Sequence, residues 1–163
     1  MKLALYKATR PGWQGLFNRL VRWWTRGPYS HTELVLEERD GLSLCGSSSF
    51  IDGGVRLKWI RLDPAHWDLL PVSGDPAAAR QWFERHAGQG YDLLGLLGHV
   101  WRRGDGSRRR WLCSEACAAA LGWPEPWRFD PNSLAAVGRI VGDGRARGPW
   151  GGREQIRPYC RRR

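Results

Sequence analysis

No run of apolar residues in this 163-residue chain approaches the roughly 20 positions that a membrane-spanning helix requires. The start, MKLALYKATRPGW, places only a few apolar residues before Lys7 and Arg10, too few for the hydrophobic region of a secretory signal. These two absences predict synthesis in the cytoplasm without a signal peptide, with departure only by lysis or inside a particle. Cysteine is sparse, at positions 45, 113, 117 and 160. In that compartment free thiols are expected rather than a disulfide framework. Cys113 and Cys117 lie one helical turn apart and the other two are distant, so the paired short spacing of a four-thiolate metal site is missing. No metal and no cofactor is implied. There is no internal repeat and no recognisable nucleic-acid-binding motif, which leaves nucleic acid at most a non-specific partner.

Acidic residues are outnumbered, 16 against 26 Lys and Arg, for a formal net charge of +10. Such an excess attracts anionic partners over long range, whether nucleic acid, a lipid surface or an acidic wall polymer such as peptidoglycan. Much of it is local: Arg102, Arg103, Arg108, Arg109 and Arg110 flank one loop, and Arg161, Arg162 and Arg163 end the chain. Tryptophan is abundant, with 11 residues. Hydrophobic residues at 42% and charged residues at 26% describe an ordinary globular chain long enough to bury one core.

LALYKA reads as a first strand. GLFNRLVRWW has Leu16, Phe17, Leu20, Val21 and Trp24 on one face, an amphipathic helix whose Trp and Leu stripe is expected to pack in the core. GPY breaks it and leads into SHTELVLEE, an alternating strand. RDG turns the chain into LSLCGSSS, and GGVRLKWIRL supplies a third strand of this group. After HWDLLPV the pattern becomes helical. DPAAARQWFERHA opens with Asp75 as N-cap and Pro76 at the first position. YDLLGLLGHVW reads as an apolar helix, RRGDGSRRR as a polar loop and CSEACAAALG as a short helix closed by Gly122. WPEPWRF reads as extended, and DPNSLAAVG repeats the Asp-Pro opening. Strands and helices are segregated, which predicts an α+β class with a largely antiparallel sheet. One domain is expected over residues 1–142, followed by a basic Gly/Arg-rich tail at 143–163.

A thiol attacks a carbonyl only as thiolate, so a nucleophilic cysteine needs a depressed pKa and a base. Cys113 opens the CSEACAAALG helix, where the unpaired N–H groups favour an anion. Cys117 falls among alanines on the interior face and reads as a small buried hydrophobe. Of the four histidines, His66, His86 and His99 occupy a loop, a helix end and a helix interior. His31 opens a strand directly after a Pro-Tyr-Ser turn, which puts an imidazole on a rigid element.

Read together, YSHTELVL and LCSE resemble the circularly permuted papain-like cysteine hydrolases of the NlpC type, a group that includes the lecithin:retinol acyltransferase relatives. In the permuted branch the strand bearing SH comes first and the helix bearing CSE comes late, as here. The helix before SH, the YD upstream of the cysteine and the DPNSL after it fit the same pattern, over about residues 1–140. The resemblance implies a permuted papain-like fold with a small antiparallel sheet packed against the cysteine-bearing helix. It implies Cys113 as nucleophile, His31 as general base, backbone N–H groups at the helix start as oxyanion donors, and Tyr91 as a residue that positions substrate. Relatives carry a polar orienting residue on the strand after the base. Here that strand offers only Cys45, Ser47 and Ser48, so Glu33, two positions from His31 on the same strand face, is the leading candidate and those three are the alternatives.

The activity so implied is cleavage of an amide or ester through an acyl-enzyme. A peptidoglycan stem-peptide endopeptidase or amidase, carried at a bacteriophage tail, is the expected form. The alternatives are a lipid acyl-hydrolase or acyltransferase, and a catalytically degraded structural component of a phage particle that docks on other virion proteins.

Overall fold

The structure, a computed structural model, describes residues 1–92 and 110–142. Leu3 and Leu5 alternate with Ala4 and Tyr6 along β1 (Lys2–Tyr6), a strand buried on both faces. After α1 (Trp13–Thr25), the chain enters β2 (His31–Arg39) and turns back as β3 (Leu42–Ser49). The turn between them is Asp40-Gly41, with φ of 52° and 73°, the pair of positive angles that a two-residue hairpin loop needs to match strand twist. β4 (Gly54–Ile60) extends the meander, and β5 (Trp67–Pro71) returns to pair antiparallel with β1. The HWDLLPV segment thus holds an edge strand. Two short strands, β6 (Gly90–Tyr91) and β7 (Arg110–Trp111), complete a seven-stranded sheet of order β5-β1-β2-β3-β4-β6-β7. The β6–β7 pairing is parallel and the other described pairings are antiparallel.

Three helices, α2 (Pro76–His86), α3 (Cys113–Ala120) and α4 (Pro131–Gly142), accompany this sheet. Asp75 caps α2 by accepting from the Ala77 N–H at 2.8 Å. Asp130 does the same for α4 through the N–H groups of Asn132 and Ser133. Each cap satisfies N–H groups that the helical ladder leaves unpaired. Phe83 of α2, the alanines of α3 and Leu134 of α4 meet Leu3, Leu5, Leu34 and Val55 of the sheet in the main core. A smaller cluster of Ala4, Val35 and Cys45 lies on the alternate residues of the same strands, capped by Ile60, Leu62 and Trp67. Gly46 lets α2 come close: a Cβ there would stand 2.4 Å from the Phe83 ring. The class is α+β with a mixed sheet, and no helix among the described residues is long and apolar enough to cross a membrane.

Three sequence expectations fail. Of the expected α1 stripe only Val21 is buried: Leu16 is 71% exposed and Leu20 and Trp24 are also outside, as is the neighbouring Trp23 at 72%. The buried residues of α1 are Gly15, Asn18 and Val21. Its anchoring is polar instead, through Asn18 to the Ser30 hydroxyl and Arg22 to the backbone carbonyl of Lys7. WPEPWRF is not simply extended either, since Pro126–Arg128 forms a 3-10 turn in which the Arg128 N–H donates to the Glu125 carbonyl. The YDLLGLLGHVW reading fails at its start, because Tyr91 belongs to β6, where it pairs with Trp111, and does not open a helix. The rest of that segment beyond Asp92, the RRGDGSRRR loop before Arg110 and the 143–163 tail lie outside the described residues.

Candidate active site

α3 begins where β3 and β7 hold it. The Ser48 hydroxyl donates to the Trp111 carbonyl at 2.7 Å, two residues ahead of Cys113. The Glu115 carboxylate folds back to accept from the Leu112 N–H at 3.3 Å, and the Ser114 hydroxyl donates to the Phe129 carbonyl at 2.6 Å. One turn on, the Cys117 sulfur sits 3.7 Å from the Thr32 hydroxyl and 3.8 Å from the Gly46 carbonyl. These contacts bring the helix start against the beginning of β2, so that Cys113 meets His31 and Thr32 across more than eighty positions of sequence.

The start of β2 is fixed independently. Asn132, just inside α4, accepts from the Tyr29 N–H at 3.0 Å and donates to the Tyr29 carbonyl at 2.9 Å and to the Thr25 hydroxyl at 2.6 Å. The Tyr29 hydroxyl donates to Asp68 at 2.9 Å, and Asp68 also pairs with Lys7. The residue two before the imidazole is therefore bonded through backbone and side chain together.

His31 Nε2 lies 2.9 Å from Glu33 Oε1. That contact commits Nε2 to the carboxylate and leaves Nδ1 to serve the Cys113 thiol. Glu33 is only 2% exposed, and a buried carboxylate needs further partners. Arg56 of β4 supplies them, with two bonds of 2.6 Å to the two carboxylate oxygens. The register explains the reach. Leu34 pairs with Gly46, which puts Ser47 level with Glu33, and Ser47 pairs with Arg56. The guanidinium thus crosses β3 over a serine too small to block it. Asp52 accepts from Arg56 Nε at 2.9 Å and orients the guanidinium from its far side.

The electrostatics follow from this line of alternating charges. Burial pushes the Glu33 carboxyl up, but the bonds from Arg56 and His31 outweigh it and hold its pKa at about 2. Burial also disfavours the His31 cation, yet the Cys113 sulfur and Glu33 raise its pKa to about 9. Cys113, despite its own burial, titrates below an ordinary thiol because the imidazolium and hydrogen bonds from Thr32 favour the thiolate. Cys45 and Cys117 behave oppositely, since burial, reinforced by the negative charge of Glu33, outweighs the Arg56 cation and pushes both thiols up. All three cysteines among the described residues are free and buried, but only at Cys113 does the surrounding charge favour the anion.

The alternatives to Glu33 are otherwise engaged. The Ser47 hydroxyl donates to the Thr32 carbonyl at 2.6 Å, that of Ser48 to Trp111, and Cys45 belongs to the small apolar cluster. Arg56 and Asp52 were missed in the sequence because an arginine alternating with Val55 and Leu57 reads as a solvated strand face. The usable signal was the neighbouring strand, where Ser47 leaves room for a long side chain to pass.

His31 opens onto a pocket of about 120 Å³ whose wall includes Tyr6, Trp13, Phe17, Phe50, Ile51 and Tyr91. Tyr91 packs edge-on against Phe50 at 6.1 Å and lies near enough to Cys113 for the sulfur's charge to help burial raise its phenol pKa. Cys113, 4% exposed, is not part of the pocket wall, whereas its neighbours His31 and Tyr91 are. Comparison with protein-family models, curated proteins and solved structures found no match.

Proposed function

We propose that the chain is a cysteine hydrolase of the permuted papain-like, NlpC-type fold that cleaves an amide or ester through an acyl-enzyme. The observation that carries this reading is the line Cys113–His31–Glu33–Arg56, in which an imidazole is held by a buried, doubly paired carboxylate and faces a sulfur at a helix start. In the reaction the Cys113 thiolate attacks the carbonyl carbon and negative charge moves to its oxygen. The backbone N–H groups of the first turn of α3 lie outside the helical ladder and are suited to receive that charge. Collapse of the tetrahedral species breaks the bond to the amine or alcohol, which takes the proton from the His31 imidazolium. Neutral His31 then accepts a proton from water as its oxygen attacks the thioester. Release of the acid returns Cys113 as thiolate and His31 as imidazolium. Tyr91 positions the carbonyl beside the sulfur.

The substrate in this proposal is a peptidoglycan stem-peptide bond, with the basic chain drawn to the anionic wall and the protein carried in a phage particle. A second reading, cleavage or transfer of a lipid acyl group, is favoured by the apolar side chains around the pocket. Incubation with purified peptidoglycan and with an ester lipid, followed by detection of new amino groups or free fatty acid, separates the two. The proposal expects one of these products from the wild type and none from Cys113→Ala. An acyl electrophile should modify Cys113 alone, at a rate reduced at least about 100-fold by His31→Ala. Equal, slow labelling of all thiols with no product from either substrate would instead fit a scaffold that has lost its chemistry.

A further inference from the structure

Residues 1–32 contain no Asp or Glu, while Lys2, Lys7, Arg10, Arg19, Arg22 and Arg26 all fall there. α1 lies inside this stretch. Trp13, Leu16, Leu20, Trp23 and Trp24 recur at spacings that confine them to an arc of about 100° on the helix, and all five are exposed. Arg19 and Arg26 are exposed beside that arc. The apolar surface does not stop at the helix. The Trp13 ring meets Phe50 edge-on at 5.7 Å, and Phe50 and Ile51 at the β3–β4 turn are exposed as well. Asp52, the acid on that turn, is paired by Arg56 at 2.9 Å and Lys58 at 3.1 Å. Trp13, Phe17 and Phe50 also line the pocket beside His31, so the exposed face runs into its mouth.

We propose that α1 and the tip of the β3–β4 turn form a docking surface for an anionic lipid bilayer, with α1 lying in the plane of the interface. At about 20 Å the helix is too short to span a bilayer, but its apolar arc can enter the headgroup boundary while Trp rings sit at headgroup level. Arg19 and Arg26, which make no ion pair among the described residues, border the arc on one side, where they can reach lipid phosphates. A second copy of the chain fits less well, because pairing two such faces would bring arginines together with no acid in the stretch to offset them. Docking this way turns the pocket mouth toward the bilayer. The inference depends on the surface of α1 and stands apart from the thiol chemistry.

The test is co-sedimentation of the full-length protein with phosphatidylcholine vesicles, with and without phosphatidylglycerol. Leu16→Glu/Leu20→Glu is compared with a charge-matched control, Leu42→Glu/Ile140→Glu, at exposed apolar positions elsewhere. The wild type should pellet with the anionic vesicles. The α1 variant should bind about tenfold more weakly or worse, and the control should stay within about threefold of wild type. Equal losses in both variants would overturn the proposal in favour of general attraction to the basic chain. So would a wild type that does not pellet, or one that forms a dimer abolished by the α1 variant without binding vesicles. Circular dichroism checks the fold, and if the double variant is unfolded, Trp23→Ser carries the same comparison. Cys113 labelling without vesicles should be unchanged in the α1 variant, which separates failure of docking from failure of catalysis.

Discussion

Arg56→Met keeps most of the side-chain stem but removes the guanidinium that reaches Glu33 with two bonds of 2.6 Å. Glu33, 2% exposed, would then keep only His31 as a charged partner. Removing one member of a buried pair costs about 3–5 kcal/mol. The remaining imidazolium places this case near the lower end, at about 3 kcal/mol. Urea denaturation at neutral pH measures the loss, and a cycle with Glu33→Gln isolates the pair. Because the amide no longer needs a cation, the double variant should be less destabilised than the sum of the singles, by about 2 kcal/mol. A loss below about 1 kcal/mol for Arg56→Met, or strict additivity in the cycle, would refute the claim that this arginine supports the buried carboxylate. Acid titration gives a second check. The Glu33 pKa of about 2 lies below its ordinary 4.5, so its contribution is present above 4.5 and disappears as pH falls toward 2. That contribution is on the order of 3 kcal/mol. In Arg56→Met the folded-state pKa of Glu33 moves up toward 4.5, so the stability lost between pH 4.5 and pH 2 should shrink. His31 has the opposite sign: its raised pKa of about 9 gives stability that is fully present below the ordinary 6.5 and is lost as pH rises through 9.

Gly46→Ala should destabilise by about 1–3 kcal/mol in the same denaturation assay, because the new Cβ meets the buried Phe83 ring; Gly41→Ala is no substitute, since its strain comes from positive φ. Asn132→Ala leaves the N–H and carbonyl of Tyr29 without their side-chain partner and should cost about 1–3 kcal/mol. It should also slow Cys113 labelling by loosening the start of β2, an effect that a purely global loss of stability would not produce under strongly native conditions.

The strands and helix caps were legible because their signals are local. Asp-Gly specifies the β2–β3 turn, Asp75-Pro76 and Asp130-Pro131 mark helix starts, and period-two alternation marks β2 and β4. β5 carries no such local signal, because WDLLP is short, ends in proline and becomes a strand only by pairing with β1. The α1 stripe misled because amphipathicity reveals that a helix has two faces, while the partner of each face is decided by tertiary structure. Here the small and polar side, Gly15 and Asn18, turned inward: a Cβ at Gly15 would stand 2.0 Å from the Arg10 carbonyl. For the candidate site, the positions of His31 and Glu33 on one strand face follow from alternation alone. The approach of Cys113 does not, because it depends on Ser48, Ser114 and Asn132 tying distant segments together. Nor does Arg56, whose role requires the β2–β3–β4 register and the smallness of Ser47.

The central claim is that His31 holds Cys113 as a thiolate. Its most direct test is the rate of Cys113 alkylation by a small haloacetamide across pH, read by mass spectrometry of the intact chain. The wild type should show an inflection below the ordinary thiol value of 9.0, and a second change near pH 9 as the imidazolium loses its proton. In His31→Ala the first inflection should move up to 9.0 or beyond, because burial is the largest influence on the thiol and only the Thr32 hydrogen bonds then oppose it. A wild-type inflection at or above 9.0 that His31→Ala leaves in place would contradict the account.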